Sequence, residues 1–191
     1  MPPKDLAVRR GRPEDVDFLL PLINRAGEDI PKCIWAQMAG PEETPWDVGR
    51  ARILSDDSGI SYRHVWIAEA AGEPAGCVIV RPLPDPPAPL DPELPPLFVP
   101  LQELENEAPG TGYVYVLSTR RELRGHGIGR HLLQFAERYR GPKGMSLVVA
   151  DNNTGAQALY ERCGYREASR RAMVKDGWDS PGSEWILMVK P

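Results

Sequence analysis

At 191 residues, 41% of them apolar and 26% charged, the chain is long enough for one domain with a full hydrophobic core. A formal net charge of −4 gives it no overall basic character for nucleic acid or an anionic membrane surface, and no long uncharged apolar run is present to span a bilayer. Cys33, Cys77 and Cys163, odd in number and widely scattered, suit buried thiols in a reducing, cytoplasmic setting better than a disulfide framework or a metal site.

Met1 to Asp5 does not open like a signal peptide. Leu6 to Arg9 is a short candidate edge strand. Pro13, Glu14 and Asp15 then look like a helix start, with proline and carboxylates in the first turn. Val16, Leu19, Leu20 and Ile23 form the apolar face of that helix, Pro21 is expected to kink it, and Gly27 is a credible stop. Glu28 to Pro45 mixes Pro31, Gly40 and Pro41 with Trp35 and Met38 and reads as irregular, and a second helix follows from Trp46 to about Leu54. Ser61–Glu69 and Pro74–Arg81 read as the two strands of a hairpin turning at Ala71, Gly72 and Glu73.

Nine prolines fall between Pro82 and Pro100, so the first part of the next segment cannot be regular structure. Leu94, Leu97, Phe98, Val99 and Leu101 nevertheless give it apolar residues to dock with, and Leu101 to Glu107 fits a short helix. Residues 82–110 therefore read as a proline-rich inserted loop over the site rather than a boundary between domains. Gly112–Thr119 is a strand. Ile128, Leu132, Phe135, Ala136 and Tyr139 then recur at helical spacing. Met145–Ala150 is a short strand expected to be buried on both faces, and Asn153–Arg162 is helical. Tyr165 to about Val174 and Glu184–Lys190 close the chain as strands. The order β-α-α-β-β-β-α-β-α-β-β implies an α/β (α+β) fold with a mixed sheet and helices on both faces.

Between the strand ending at Thr119 and the helix starting near Ile128 lies Arg124-Gly125-His126-Gly127-Ile128-Gly129. Glycines at a strand-to-helix turn leave backbone N–H groups unobstructed at the positive end of the helix, a site for an anion such as a phosphate, with Arg124 and Arg130 adding charge at its edges. A turn that merely allows close packing is the alternative. The segment is not a P-loop, because Gly129 is followed by Arg130 and His131, and it is not a dinucleotide-binding loop, because Arg130 occupies the third glycine's place.

The pattern Arg-x-x-Gly-x-Gly, formed by Arg124, Gly127 and Gly129, resembles the acyl-CoA-binding loop of the GNAT family of N-acyltransferases. A second stretch carries the same resemblance: Asn153, Ala156, Leu159 and Tyr160, ending in Gly164 and Tyr165, is similar to that family's Asn-x-x-Ala-x-x-Leu-Tyr segment. The resemblance covers nearly the whole chain as a single GNAT-like domain, residues 1–191, with a mostly antiparallel mixed sheet. It implies acetyl-CoA as co-substrate, no metal, and transfer of an acetyl group to a primary amine on a small molecule or a peptide by direct attack on the thioester. It also implies site residues: Arg124, Gly125, His126, Gly127, Ile128, Gly129 and Arg130 around the pyrophosphate, the backbone of Leu117, Ser118 and Thr119 beside the pantetheine arm, and Asn153 on the cofactor arm. Asn153 fits a helix cap equally well. Tyr160 is implied as the acid that protonates the departing thiolate, a role suited to a phenol with a pKa of ~10, while on spacing alone it is a core tyrosine.

A base to deprotonate the amine is not evident, since the strand Gly112–Thr119 holds no carboxylate. Glu69, Glu103, Glu105, Glu107, Tyr113 and Tyr115 are the candidates, each read more readily as surface charge or packing. The acceptor pocket is expected between the Glu28–Pro45 region and the insert, with Trp35, Met38 and Trp46 as candidate walls. Carboxylates of the insert hint at a cationic acceptor. His64, His126 and His131 lack metal-ligand spacing. Homodimers are frequent among proteins of this kind, and nothing in the sequence locates an interface. A non-catalytic acyl-CoA sensor or protein-interaction module is the rival reading.

Overall fold

A computed structural model describes residues 6–191; the Met1–Asp5 opening lies outside them. Seven strands form one mixed, mostly antiparallel sheet in the order β1-β2-β3-β4-β5-β7-β6: β1 Leu6–Arg10, β2 Val65–Ala70, β3 Glu73–Pro82, β4 Gly112–Thr119, β5 Met145–Ala150, β6 Arg166–Ala172 and β7 Glu184–Lys190. Among the described residues the α-helices are α1 Val16–Ala26, α2 Ile30–Met38, α3 Pro45–Leu54, α4 Val99–Asn106, α5 Ile128–Ala136 and α6 Thr154–Arg162. Among the described residues no helix is long and apolar enough to cross a membrane. The chain divides into two compact units, the first made of the residues up to Ile79 with Val116–Phe135, the second of Val80–Tyr115 with Ala136–Pro191.

In the first unit β1 is an edge strand paired antiparallel with β2, from Leu6 opposite Ala70 to Arg10 opposite Trp66. A 3₁₀ turn at Pro13–Asp15 leads into α1, whose buried face includes Val16, Leu19, Leu20 and Ile23. Pro21 sits exposed inside α1, and the helix runs through it to Gly27. Buried Asp15 holds this entry together: its carboxylate accepts from Arg9 Nη1 and Nη2 at 2.7 and 2.8 Å and from the Arg12 N–H at 2.7 Å.

The segment after Gly27 corrects the sequence reading, because Ile30–Met38 is a helix. Its prolines and glycines are boundary signals rather than breakers. Pro31 lies in the first turn, where its missing N–H has no intrahelical partner, and Gly40 and Pro41 lie beyond the end. Left-handed Glu28 and Asp29 reverse the chain, and buried Asn24 fixes the reversal by donating to Asp29 at 2.5 Å and accepting from the Lys32 N–H at 2.9 Å. Helix α3 starts one residue earlier than expected, at Pro45, behind a Thr44–Asp47 capping box. Strand β2 starts later than expected, at Val65, because Tyr62–His64 forms a 3₁₀ turn that Ser61 caps. The hairpin turns on Ala71 and Gly72, both left-handed as a two-residue turn requires, and Glu73 already belongs to β3.

Alternation along β3 puts helices on both faces of this part of the sheet. Cys77 and Ile79 join Leu19, Ile23, Trp35, Ile53, Val65, Ile67 and Val116 in one core cluster. Gly76 faces the other way, where an added Cβ would meet Ile128 at 3.1 Å and Leu132 at 3.2 Å of α5, so only glycine admits that helix so closely. Phe135 of α5 packs on Trp66 with ring centroids 4.7 Å apart.

In the second unit the proline-rich segment is closed at its base. The Leu83 N–H donates to Thr111 at 2.9 Å and the Gly110 N–H donates to Leu83 at 3.2 Å, so the insert leaves and rejoins the sheet at one place. Its helix α4 begins at Val99, earlier than the expected Leu101, since Pro100 is tolerated in a first turn. Buried Leu97 and Leu104 anchor it. Strand β5 is buried along both faces except at Val148, as expected, and pairs antiparallel with β7 over six positions. Edge strand β6 is mostly exposed and carries Arg166, Glu167, Arg170 and Arg171, charges that discourage edge-to-edge association. It is shorter than the expected Tyr165–Val174. The loop before β7 is held by Trp178 stacked on Trp185, centroids 5.8 Å apart, and by Asp151, which accepts from the Ser183 N–H at 2.9 Å and Oγ at 2.6 Å.

Candidate active site

The predicted anion loop lies in the first unit and is built from backbone. Strand β4 ends at Thr119, the Arg120 N–H donates to Ala75 at 2.9 Å, and a 3₁₀ turn at Arg121–Leu123 delivers the chain to Arg124. Gly125 and Gly127 then take φ of 79° and 84°, conformations that a side chain would strain. Alternation of hand along such a segment turns successive N–H groups toward one concavity. The first α5 hydrogen bond runs from the His131 N–H to the Gly127 carbonyl at 3.0 Å. The N–H groups of Ile128, Gly129 and Arg130 precede it and have no helical partner. Arg124, Gly125, His126, Gly127 and Arg130 are exposed, and Gly129 is half-buried.

Two of these assignments take a narrower form. The Ile128 side chain is buried in the core, so only its backbone faces outward. His126 turns Nδ1 back on the loop, donating to the Arg124 carbonyl at 3.0 Å. Arg124 and Arg130 form no ion pair with any described residue, which leaves two cations beside the N–H cluster. On the preceding strand Ser118 is buried while Leu117 and Thr119 are half-buried, so a ligand there meets mainly backbone. Cys77 is fully buried, and burial pushes its thiol up to about 12, which keeps it from acting as a nucleophile.

The second predicted stretch lies in the second unit. Strands β4 and β5 are parallel neighbours only at Gly112–Met145 and Tyr113–Ser146, and the ladder stops there. Asn153 caps α6, its side chain accepting from the Ala156 N–H at 3.3 Å. Tyr160 is buried on α6, its ring centroid 6.1 Å from that of Tyr165. Both local alternatives, cap and packed tyrosine, are therefore present.

The candidate bases divide sharply. Glu69 pairs with Arg9 at 2.5 Å in the first unit, and Glu103 and Glu107 both pair with Arg171 in the second. Glu105 differs from all of them. It is 8% exposed, both of its oxygens accept from Arg81 Nη2 at 2.8 Å, and the Tyr113 phenol acts on its carboxyl as well. Burial raises its carboxyl above the ordinary range against the pull of Arg81, and burial also raises the Tyr113 phenol well above its own. The Arg81 guanidinium lies 4.3 Å from the centroid of the exposed Tyr115 ring and 5.5 Å from that of Tyr113. Arg81 received no role from the sequence; the only signal was an arginine closing an otherwise apolar strand at the root of the insert. Of the candidate pocket walls, Trp35 is in the core, Trp46 meets it edge-on at 6.0 Å, and Met38 is exposed.

The family model described as the Acetyltransferase (GNAT) family matches residues 31–165, a span that includes the glycine loop and α6. Among solved structures, an N-acetyltransferase from Staphylococcus aureus Mu50 superposes with a TM-score of 0.63 at 18% identity, covering 96% of this chain and 99% of that one. Another acetyltransferase gives 0.63 at 21% identity, with 96% and 98% covered. The diaminobutyrate acetyltransferase EctA from Paenibacillus lautus, solved with L-2,4-diaminobutyric acid and coenzyme A, gives 0.54 at 15% identity, with 98% and 95% covered. These likenesses carry the fold. A search of curated protein sequences returns no significant match.

Proposed function

The chain belongs to the GNAT acetyltransferase family, and from that premise we propose that it moves an acetyl group from acetyl-CoA to a primary amine by direct attack on the thioester. The observation that carries this reading is the glycine loop, where N–H groups preceding the first helical bond sit beside Arg124 and Arg130. A pyrophosphate needs that combination of donors and fixed charge. In the reaction the amine nitrogen forms a bond to the thioester carbonyl carbon, the C–S bond breaks, and the electron pair leaves on sulfur. A backbone N–H of Leu117–Thr119 stabilises the charge that develops on the carbonyl oxygen. The nitrogen loses a proton to water as the amide forms, and Tyr160, having given its hydroxyl proton to the thiolate, regains one from that water. Asn153 serves both as the cap of α6 and as a contact for the cofactor arm.

The sensor reading draws on the absence of a carboxylate along β4 and on the proline-rich insert of residues 82–110. Calorimetric titration with acetyl-CoA, beside a Gly127→Glu variant, tests the loop first. Glutamate at φ 84° adds bulk, backbone strain and a negative charge where a phosphate should lie. Tight wild-type binding weakened at least about a hundredfold in a variant that melts normally is the expected result. Equal affinities would remove the cofactor from this loop. Thiol release with an amine panel then separates transferase from sensor, since a sensor binds acetyl-CoA and releases none.

A further inference from the structure

Glu103 and Glu105 on α4 and Glu107 just past its end are each engaged by an arginine of the same unit, Glu103 and Glu107 by Arg171 and Glu105 by Arg81. The hint of a cationic acceptor therefore draws nothing from these three acids. What Glu105 of the insert does instead is hold a cation of β3, Arg81. Glu105 is buried and occupies a single nitrogen of Arg81, Nη2. Nε and Nη1 bond to no described residue, and the Arg81 side chain is 44% exposed. The Tyr115 ring, 38% exposed, supports the flat of the guanidinium. Burying a carboxylate is costly, and the arrangement spends that cost on fixing an arginine whose remaining donors have no partner among the described residues. A guanidinium held this way is preorganised for an oxyanion.

Resting on the transfer reading above, we propose that Arg81 anchors a carboxylate of the acceptor. The acceptor is then an amino acid or another small amine bearing an acid group, not a neutral amine or polyamine. Glu105 is the positioning residue, and Tyr115 carries the adjoining part of the acceptor.

The test measures thiol release from acetyl-CoA with L-amino acids, each beside its own carboxamide, which keeps amine and side chain but lacks the charge. The wild type is compared with the double variant R81Q/E105Q, which removes both charges together and leaves no unpaired buried carboxylate. The acid-to-amide ratio of kcat/KM is expected to fall about tenfold or more in the variant, through KM, and taking the ratio cancels the differing basicity of the two amines. An unchanged ratio alongside normal turnover overturns the anchor and leaves the transfer reading intact. Should no amine release thiol, the transfer reading fails on its own. The anchor is then decided by NMR of the Arg81 Nε–H resonance on titration with N-acetyl-L-amino acids and their amides. A shift with the acids alone supports it, and no shift overturns it.

Discussion

The glycine loop carries arginines of its own and α4 of the insert engages arginines of β3 and β6, and the two regions use them in opposite ways. Around the loop, Arg124 and Arg130 have no ion pair among the described residues, and the recognition surface is largely backbone N–H. Against the insert, Arg81 of β3 and Arg171 of β6 are tied to Glu105, Glu103 and Glu107, and the surface consists of side chains. Unpaired surface arginines add little to stability, so their use lies in what they bind. Paired arginines hold a helix against a sheet, and only the donors left over are available to a ligand. On the readings proposed above, the first surface takes a polyanion shared by many enzymes and the second one particular acceptor.

Three substitutions probe that contrast, taken from the largest expected effect. Tyr160→Phe is expected to lower the maximal rate by about a hundredfold or more, the usual contribution of a positioned acid, with acetyl-CoA affinity little changed. Stopped-flow or steady-state thiol release at saturating substrates measures it where chemistry is limiting. Equal maximal rates would return Tyr160 to a purely packing role against Tyr165. Next, Arg124→Ala combined with Arg130→Ala should weaken acetyl-CoA binding about tenfold at low salt and less at high salt, while folding stability stays within about 0.5 kcal/mol of wild type. A clear loss of stability without loss of affinity would mean that these cations belong with the paired class.

The contrast also explains what could be read in advance. Strand β4 and the loop after it lie in one continuous stretch, and their chemistry resides in glycine spacing and backbone, so the pattern was visible in the sequence. The exact bounds of β5 and β7 followed from apolar runs between polar segments. Helix α2 was missed because Pro31 and Gly40 were averaged into their segment, when their meaning depends on falling in the first turn and just past the last. Ser61 to His64 resembled strand until a local side-chain cap set a 3₁₀ turn. The pairing of Arg81 with Glu105 joins residues 24 apart across a proline-rich insert. No local spacing encodes such a pair, and only the closure of the insert at Leu83 and Gly110 brings it together.

The smallest expected effect is a difference of sign between two buried carboxylates. For Asp15, burial raises the carboxyl but the hydrogen bonds from Arg9 and the Arg12 N–H outweigh it, so its folded pKa is lowered. The folded state then binds fewer protons, and the stabilisation is full above the unfolded value of ~3.9 and lost as pH falls through the lower folded value. For Glu105, burial outweighs Arg81 and Tyr113, so its folded pKa is raised. Its contribution is full below the unfolded value of ~4.3 and declines as pH rises toward the folded value. Urea midpoints between pH 3 and pH 7 for wild type, Asp15→Asn and Glu105→Gln read this directly. The advantage of wild type over Asp15→Asn should shrink toward acid, and its advantage over Glu105→Gln should shrink toward neutral pH. If both differences moved the same way, Glu105 would be an ordinary stabilising ion pair like Asp15, and the reason to see Arg81 as a cation held for a ligand would weaken with it.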